Sequence, residues 1–205
     1  MWNGLKGDET MRFKDLKKLW YSDLYRYEED NIVNIKKLFI RQYISPGFCY
    51  IFWLRLSSYL RTKNKLWFPL YLLTRIILQH FKYKFGIGIS PKIDIGPGLY
   101  IGHFGGIILN SEAKIGKNCN VSHGVTIGMA NRGINRGVAT IGDNVYIGPG
   151  AKIVGAVKIG NNVAIGANCV VTKDIQDNAV VVGVPGKVIS LKGSSGYIGN
   201  TNYNF

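Results

Sequence analysis

The chain of 205 residues is strongly basic, with 26 Lys or Arg against 12 Asp or Glu and a formal net charge of +14. Its hydrophobic content of 46% and aromatic content of 12% suffice for a buried core, which excludes an intrinsically disordered chain. The longest apolar stretch, residues 67–81, is interrupted by Arg75 and His80 and is too short for a membrane span. The three cysteines form no even disulfide set and residues 1–30 contain no apolar leader, so we expect a cytoplasmic protein.

Residues 1–85 are predicted to form a helical N-terminal region. They contain 16 Lys or Arg, seven Asp or Glu, and all four tryptophans. Apolar residues recur at three- or four-residue spacing, as in Leu16, Leu19 and Trp20, which is typical of amphipathic helices. The predicted helices run over residues 12–28, from just after residue 31, over residues 48–60 following Pro46, and over residues 65–83.

Residues 86–190 follow a repeat of six residues. Ile or Val occurs at every sixth position from residue 141 to residue 171, and the same step appears from 89 to 107 and from 115 to 127. Gly often follows such an anchor residue directly, and a small or β-branched residue lies four places after it. The anchors are Ile89, Ile95, Ile101, Ile107, Ile115, Val121, Ile127, Ile141, Ile147, Ile153, Ile159, Ile165 and Val171.

This period predicts a β-solenoid. Six residues match neither the 3.6-residue turn of a helix nor the two-residue alternation of a long strand, but they suit short parallel strands joined at tight bends that glycine permits. Three hexapeptides would form one triangular coil, with the anchors stacked in a central column. Two extra residues near Ser111–Lys114 and a longer insertion at Met129–Thr140 interrupt the period and are predicted to protrude as loops.

Two histidines stand out against this repeat. His103 and His123 each lie two residues after an anchor, Ile101 and Val121, at a turn that faces out of the column. On successive coils the two side chains are expected roughly 5 Å apart. A pair of histidines at one edge, next to the largest loop, predicts a functional site.

The cysteines are predicted to be structural. Cys119 and Cys169 occupy the inward small position of the repeat, and Cys49 lies in the helical region without a partner at a suitable spacing. Buried cysteines pack as small hydrophobic residues, so we expect no redox or metal-binding role for these three.

The solenoid residues resemble a known family. The run Ile89–Val188 is similar to the hexapeptide-repeat acyltransferases, and within them to the serine acetyltransferase branch and its relatives from polysaccharide gene clusters. The resemblance implies a mainly β fold, namely a left-handed parallel β-helix after the helical region. It also implies a homotrimer with active sites in grooves between subunits, and acetyl-CoA as the donor. The matching segments are Tyr100–Ile107 (YIGHFGGI), Asn120–Gly128 (NVSHGVTIG), Ile141–Ala151 (IGDNVYIGPGA) and Val182–Val188 (VGVPGKV).

The resemblance also implies roles for individual residues. His103 aligns with the family's general base, which takes the proton of the acceptor hydroxyl as that oxygen attacks the thioester. His123 is the second candidate catalytic residue, as a group that orients His103 or the acceptor. No metal is implied. The candidate acetyl-CoA-binding residues are Gly148, Pro149 and Ala167 along the pantetheine arm, and Lys173 and Lys187 near the phosphates.

The chain departs from serine acetyltransferases at three positions. Their insertion loop carries a second essential histidine, which is missing from Met129–Thr140. They also place aspartates where this chain has Gly102, immediately before the base, and near Gly88. We therefore predict an O-acetyltransferase acting on a sugar hydroxyl of a surface polysaccharide or its precursor, with Arg132 and Arg136 as candidate ligands for an acidic sugar. Serine O-acetylation in cysteine synthesis is the alternative.

Rival functions and partners remain open. A metal enzyme like the gamma-type carbonic anhydrases needs three histidine ligands, and the solenoid offers two. A non-catalytic trimeric scaffold is a further alternative, while no nucleic-acid motif accompanies the basic charge.

The segments Phe48–Arg55 and Leu66–Tyr71 are predicted either to contact an anionic membrane surface or to pack on the solenoid or a neighbouring subunit. Residues 191–205 are predicted to form a flexible C-terminal tail.

Overall fold

The structure is a computed structural model that describes residues 10–30 and 32–204; residues 1–9, 31 and 205, in the predicted helical region and tail, lie outside them. Within the described residues the N-terminal region folds into four α-helices, as the apolar spacing predicts. The helices are α1 (Phe13–Tyr25), α2 (Ile35–Ile44), α3 (Pro46–Arg61) and α4 (Phe68–Phe85), with a 3₁₀ turn at Lys65–Trp67 before α4.

The rest of the described chain is a parallel β-helix of three sheets. The strands are β1 (Ile87–Ile89), β2 (Asp94–Ile95), β3 (Ile107–Leu109), β4 (Lys114–Ile115), β5 (Asn120–Val121), β6 (Thr126–Gly128), β7 (Thr140–Ile141), β8 (Tyr146–Ile147), β9 (Lys152–Val154), β10 (Lys158–Ile159), β11 (Ala164–Ile165), β12 (Val170–Val171), β13 (Val180–Val182) and β14 (Lys187–Ser190). Sheet 1 contains β1, β3, β6, β9 and β12; sheet 2 contains β2, β4, β7 and β10; sheet 3 contains β5, β8, β11, β13 and β14. All neighbouring strands are parallel except β13 and β14, which are antiparallel.

The anchors form the buried column that the period predicts. Ile101, Val121, Ile147 and Ile165 are all buried, and they follow one another at the inner face of sheet 3. The small positions four residues after the anchors, Cys119 among them, are buried in the same core. Each coil therefore contributes three aliphatic side chains and three small ones to a continuous hydrophobic interior.

The position predicted for the two-residue insertion is wrong. In the structure Ile89 pairs with Leu109 and Leu109 pairs with Ile127, so Leu109 is the anchor in this column and Ile107 is not. The two extra residues therefore lie in the step of the repeat from Ile101 to Leu109. The two extra residues enlarge the corner that carries His103, instead of forming a loop at residues 111–114.

The glycine that follows an anchor allows successive coils to pack closely. It does not adopt the left-handed conformation that turns the chain at the corner. A Cβ atom at Gly142 would lie 2.8 Å from the carbonyl oxygen of Gly160 on the next coil, although Gly142 does not have a left-handed φ. The left-handed residues of these corners are asparagines, with φ of 56° at Asn144 and 55° at Asn162. Asparagine tolerates this conformation, and its side chain adds a hydrogen bond from Asn144 Nδ2 to Asn162 Oδ1 of 3.0 Å.

Two tyrosines of the helical region cap the open end of the solenoid. The Tyr50 hydroxyl accepts a hydrogen bond from Ile89 N–H (3.1 Å) and donates one to Ile89 C=O (2.9 Å). The Tyr27 hydroxyl makes the same pair of bonds to Ile101, accepting at 2.9 Å and donating at 3.0 Å. Each phenol therefore satisfies the backbone groups that a further strand would otherwise pair.

A buried ion pair completes this cap. Arg55 donates to both carboxylate oxygens of Asp23 at 2.8 and 3.1 Å, and it donates to the carbonyls of Ile95 and Gly96 at 2.7 Å each. Asp23 in turn accepts from Leu99 N–H at 2.8 Å. The helical region is thus joined to the first coil through charged hydrogen bonds as well as apolar packing.

Of the two segments predicted either to contact a membrane surface or to pack on the solenoid or a neighbouring subunit, one is buried in the protein. Phe48–Arg55 lies within α3, and its apolar side chains fill both the helical core and the base of the solenoid core. The second segment, Leu66–Tyr71, is exposed, with Leu66 at 83% and Phe68 at 58%. None of the described helices has the length and apolarity required to cross a membrane.

The predicted flexible tail packs along sheet 3 in the structure. The Tyr197 ring stacks on Tyr146 with 4.8 Å between ring centroids, and its carbonyl accepts a hydrogen bond from Asn120 Nδ2 at 3.0 Å. The Tyr203 hydroxyl donates to Asn118 Oδ1 at 2.6 Å. Aromatic residues between the glycines and asparagines of the tail therefore attach it to the solenoid.

Candidate active site

The two histidines lie side by side on one edge of the solenoid. We call this the His edge, and define it by residues 102–106, 122–124, 148–150 and 166–168, where the chain passes from sheet 3 to sheet 1. The ring centroids of His103 and His123 are 6.1 Å apart and the ring planes are nearly perpendicular, at 81°. Adjacent placement follows from the parallel bridge between Tyr100 and Asn120, and it confirms the predicted proximity.

Both imidazole rings are open to reacting groups. His103 and His123 are exposed, and no hydrogen bond joins either ring to another side chain in the described part of the chain. The cysteines are not available as nucleophiles, because burial raises the pKa of Cys119 to about 12 and that of Cys49 to about 11. The reactive groups of this edge are therefore the two histidines.

The predicted pantetheine-contacting residues continue the same edge. Pro149 lies on the coil after His123, and Ala167 lies on the coil after that, as the hydrogen bonds from Gly150 N to His123 O and from Asn168 N to Pro149 O show. The strand spacing places the Ala167 coil about 14 Å from the His103 coil. Gly148, Pro149 and Ala167 carry no long side chain, so the edge is a narrow track lined by backbone and small groups.

The predicted cations are divided between two edges. Lys187 pairs with Val182 in sheet 3, so it lies near the far end of the His edge. Lys173 follows β12 at the other side of sheet 1, on what we call the loop edge, where the chain leaves sheet 1 for sheet 2. Both lysines are exposed. One protomer therefore places Lys187, but not Lys173, on the edge that carries the histidines.

The insertion at Met129–Thr140 protrudes from the loop edge, as predicted. It is closed by two backbone hydrogen bonds between Ala130 and Gly137, and Asn135 Nδ2 donates to Thr172 O at 2.9 Å. Arg132 and Arg136 are exposed on this loop. Within a protomer they lie across sheet 1 from the histidines.

Lys152, which was not among the site residues predicted from the sequence, lies beside the His edge. Lys152 Nζ donates to Gly124 O at 2.5 Å and to Thr126 Oγ1 at 3.2 Å, on the outer face of sheet 1. Its position in the sequence could have revealed it. Lys152 directly follows the inward residue Ala151, so its side chain points outward toward the neighbouring coil. The site is therefore more basic than the two histidines alone indicate.

The described residues offer no cluster of three or more His, Cys, Asp or Glu side chains that would hold a metal ion. The metal-enzyme alternative thus finds no ligand set in this part of the chain. What the edge does combine is an exposed pair of imidazoles, a track of small residues above them and a cation at its end. Such an arrangement suits proton transfer beside an extended, anionic ligand.

Comparison with known proteins agrees with this geometry. The family model for the bacterial transferase hexapeptide (six repeats) matches residues 139–173. A serine acetyltransferase of Mycobacterium tuberculosis is 41% identical over 118 residues, which are 58% of this chain and 52% of that protein. The chain spans about half the length of the curated relatives it matches.

Solved structures share the fold over most of the chain. Neisseria gonorrhoeae serine acetyltransferase in complex with serine has a TM-score of 0.70 and 30% identity, and the match covers 86% of this chain and 70% of that one. A serine acetyltransferase in complex with CoA has a TM-score of 0.69 at 24% identity, over 86% and 70% of the two chains, and shares the fold. With its helical region followed by a three-sheet β-helix, the chain belongs to the hexapeptide-repeat transferase family, in its serine acetyltransferase branch.

Proposed function

We propose that this protein is an acetyl-CoA-dependent O-acetyltransferase in which His103 is the general base. The observation that carries the proposal is the exposed His103–His123 pair at the start of a track of small residues. His103 takes the proton of the acceptor hydroxyl while that oxygen bonds to the acetyl carbonyl carbon. The carbon–sulfur bond of the thioester then breaks, and the departing thiolate receives the proton. Backbone amides of the edge stabilise the oxyanion.

The His edge suits the proposed donor. An extended pantetheine arm can lie against the backbone at Gly148, Pro149 and Ala167, because no long side chain blocks the track. Lys187 at the far end is the candidate cation for the phosphates, since an exposed ammonium group favours a polyanion. His123, next to the base, is the candidate orienting group for His103 or for the acceptor.

Serine is the first candidate acceptor. It is the acceptor that the names of the relatives imply, and the structurally similar Neisseria gonorrhoeae enzyme was solved with serine bound. Arg136 and Arg132 are candidate partners for the carboxylate of an amino acid as well as for an acidic sugar, since guanidinium groups bind carboxylates in a bidentate manner.

A sugar hydroxyl of a surface polysaccharide or its precursor is the second candidate. The observation that favours it is that Gly102 precedes His103 and Gly88 lies on β1, so neither position offers a carboxylate to the site. These two positions therefore supply no partner for the ammonium group of an amino acid. A neutral or acidic sugar needs no such partner.

An assay for CoA release separates these acceptors. The purified protein is incubated with acetyl-CoA and either L-serine, L-alanine or a panel of hexoses and uronic acids. We expect CoA release that depends on an acceptor hydroxyl, so L-alanine, which lacks one, is the matched control for L-serine. Turnover with L-serine assigns the amino acid, whereas turnover only with sugars assigns the second candidate. Release with neither class, together with no rise in melting temperature on adding CoA, would favour the non-catalytic scaffold.

A homotrimer is part of the proposal. Helix α4 exposes several large apolar side chains, for example Ile76 at 61% and Leu73 at 51%. Ile108, on the outer face of sheet 1, is 59% exposed. Exposed patches of large apolar side chains normally mark an interaction site, which supports a neighbouring subunit as their cover. Packing about sheet 1 would bring the loop edge of one protomer, with Arg132, Arg136 and Lys173, to the His edge of the next.

Light scattering coupled to size-exclusion chromatography tests the assembly. We expect a mass three times the 22.8 kDa of the chain. We place the enzyme in the cytoplasm, where its donor would be available, with a peripheral membrane contact as the competing role for α4. A monomer that co-sediments with anionic vesicles would support the membrane role and contradict the trimer.

A further inference from the structure

The corner that carries His103 is longer than its counterparts on the later coils. Eight residues separate the anchors Ile101 and Leu109, whereas six separate Val121 from Ile127 on the next coil. Gly105 and Gly106 within this corner have left-handed φ values of 111° and 66°. The backbone of His103 thus belongs to a segment whose conformation is not fixed by the regular six-residue repeat.

This corner also has less backbone support than its neighbours. From the coil above, Gly124 N donates to Gly105 O at 2.7 Å. The corner belongs to the first coil, so on the side of the helical region no further solenoid coil lies next to it in the described residues. Two different groups hold the ends of the corner on that side. At the C-terminal end, Ile107 N donates to Gly86 O at 3.0 Å. At the N-terminal end, the Tyr27 hydroxyl is the group among the described residues that hydrogen-bonds Ile101 on this side.

Tyr27 is itself rigidly held between the two regions of the protein. Its ring contacts Tyr100 with 4.5 Å between centroids and Phe48 with 5.3 Å. Burial raises the pKa of Tyr27, so the phenol stays protonated and donates to Ile101 C=O while accepting from Ile101 N–H. The main chain two residues before His103 is therefore bound to the helical region, through a side chain that packs between two other aromatic rings.

We propose that Tyr27 is a positioning residue for His103. By holding Ile101, it sets the point from which Gly102 and His103 leave the coil, and hence the place of the imidazole relative to the acceptor hydroxyl. Tyr27 does not reach the reacting atoms. The inference rests on the proposed function of His103 as base. Displacement of a catalytic group by about 1 Å is enough to cost up to two orders of magnitude in rate.

The chain offers a matched control in Tyr50. Tyr27→Phe and Tyr50→Phe each remove one phenolic oxygen and the same two hydrogen bonds to a buried isoleucine, Ile101 in one case and Ile89 in the other. We expect both variants to lose a similar amount of thermal stability. We expect Tyr27→Phe to lower kcat by about 10–100-fold with the KM for acetyl-CoA changed less than about threefold. We expect Tyr50→Phe to keep kcat within about twofold of the unmodified protein.

A second measurement does not depend on turnover. In protein labelled with ¹⁵N-histidine, the ring resonances of His103, assigned by their loss in His103→Ala, should shift or broaden in Tyr27→Phe and stay in place in Tyr50→Phe. Equal losses of kcat in the two tyrosine variants, or unchanged His103 resonances in Tyr27→Phe, would overturn the positioning role. If His103→Ala keeps full activity, the proposed base is wrong, and the resonances alone then decide whether Tyr27 holds His103.

Discussion

His103→Ala is expected to lower kcat/KM for acetyl transfer by about 10²–10⁴-fold, the range that a positioned general base contributes. The imidazole is exposed at the start of the track of small residues, and no second base bonds to it in the described residues. The acceptor hydroxyl would then attack without its proposed base, and His123, with its ring centroid 6.1 Å from that of His103, would keep only its proposed orienting role. Steady-state CoA release with the acceptor identified for the unmodified protein measures the loss.

The control for this substitution is His80→Ala. His80 is also exposed, but it lies on α4, where its ring contacts Phe81. It should keep activity within about twofold, since it lies outside the edge where the reaction is proposed. Both variants should retain the circular dichroism of the unmodified protein, because neither exposed ring contributes to the core. Because His80 lies on α4, the mass of each variant is measured as well, so that loss of the proposed trimer is distinguished from loss of catalysis. An active His103→Ala protein would show that the base is elsewhere.

Arg55→Ala is expected to destabilise the protein by about 3–5 kcal/mol, as breaking a buried ion pair from one side typically does. The substitution leaves the Asp23 carboxylate buried without its counter-ion, and it removes the donors to the carbonyls of Ile95 and Gly96. The first coil would lose these two hydrogen bonds to α3 at the same time, while the bonds between Tyr50 and Ile89 would remain. Urea unfolding at a fixed protein concentration measures the change in the free energy of unfolding.

An exposed ion pair on the same helical region provides the comparison. Arg12 contacts Asp15 at 3.2 Å, with 68% and 38% of the two side chains exposed, and such surface pairs contribute about 0–1 kcal/mol. Arg12→Ala should therefore shift the midpoint of unfolding only slightly. Should Arg55→Ala unfold at the same urea concentration as Arg12→Ala, the buried pair does not hold the two regions together.

The repeat predicted the coil geometry well because its contacts are spaced regularly along the chain. A residue in a solenoid meets its counterpart one coil later, so Val121, Ile147 and Ile165 reveal their stacking through spacing alone. The same regularity predicts His103 beside His123 from the sequence alone, as the structure confirms. It could not locate the two-residue insertion, because residues 107–109 are all aliphatic and each fits the anchor position.

The sequence predicts the positions of the helices well. It does not predict that they cap the open end of the solenoid. Tyr27 and Tyr50 look like ordinary residues of an aromatic-rich region, yet each bonds a solenoid backbone 74 or 39 residues away. No spacing rule connects them to Ile101 or Ile89, since the pairing depends on how the helical region packs on the first coil. The aromatic tail was likewise predicted as flexible, since its polar composition hides contacts with distant strands.

By itself, the sequence determined the six-residue coil, the buried column, the histidine edge and the family resemblance, because all of these depend on a local and periodic pattern. Only the tertiary structure decided that the His103 corner is the enlarged one, and that Arg132 and Lys173 lie on the opposite edge from the histidines. It also decided that the glycines directly after the anchors do not adopt left-handed φ values, whereas asparagines at several corners do. These features arise where non-repeating segments meet the repeat. Their energies depend on contacts between residues far apart in the chain, which periodicity does not encode.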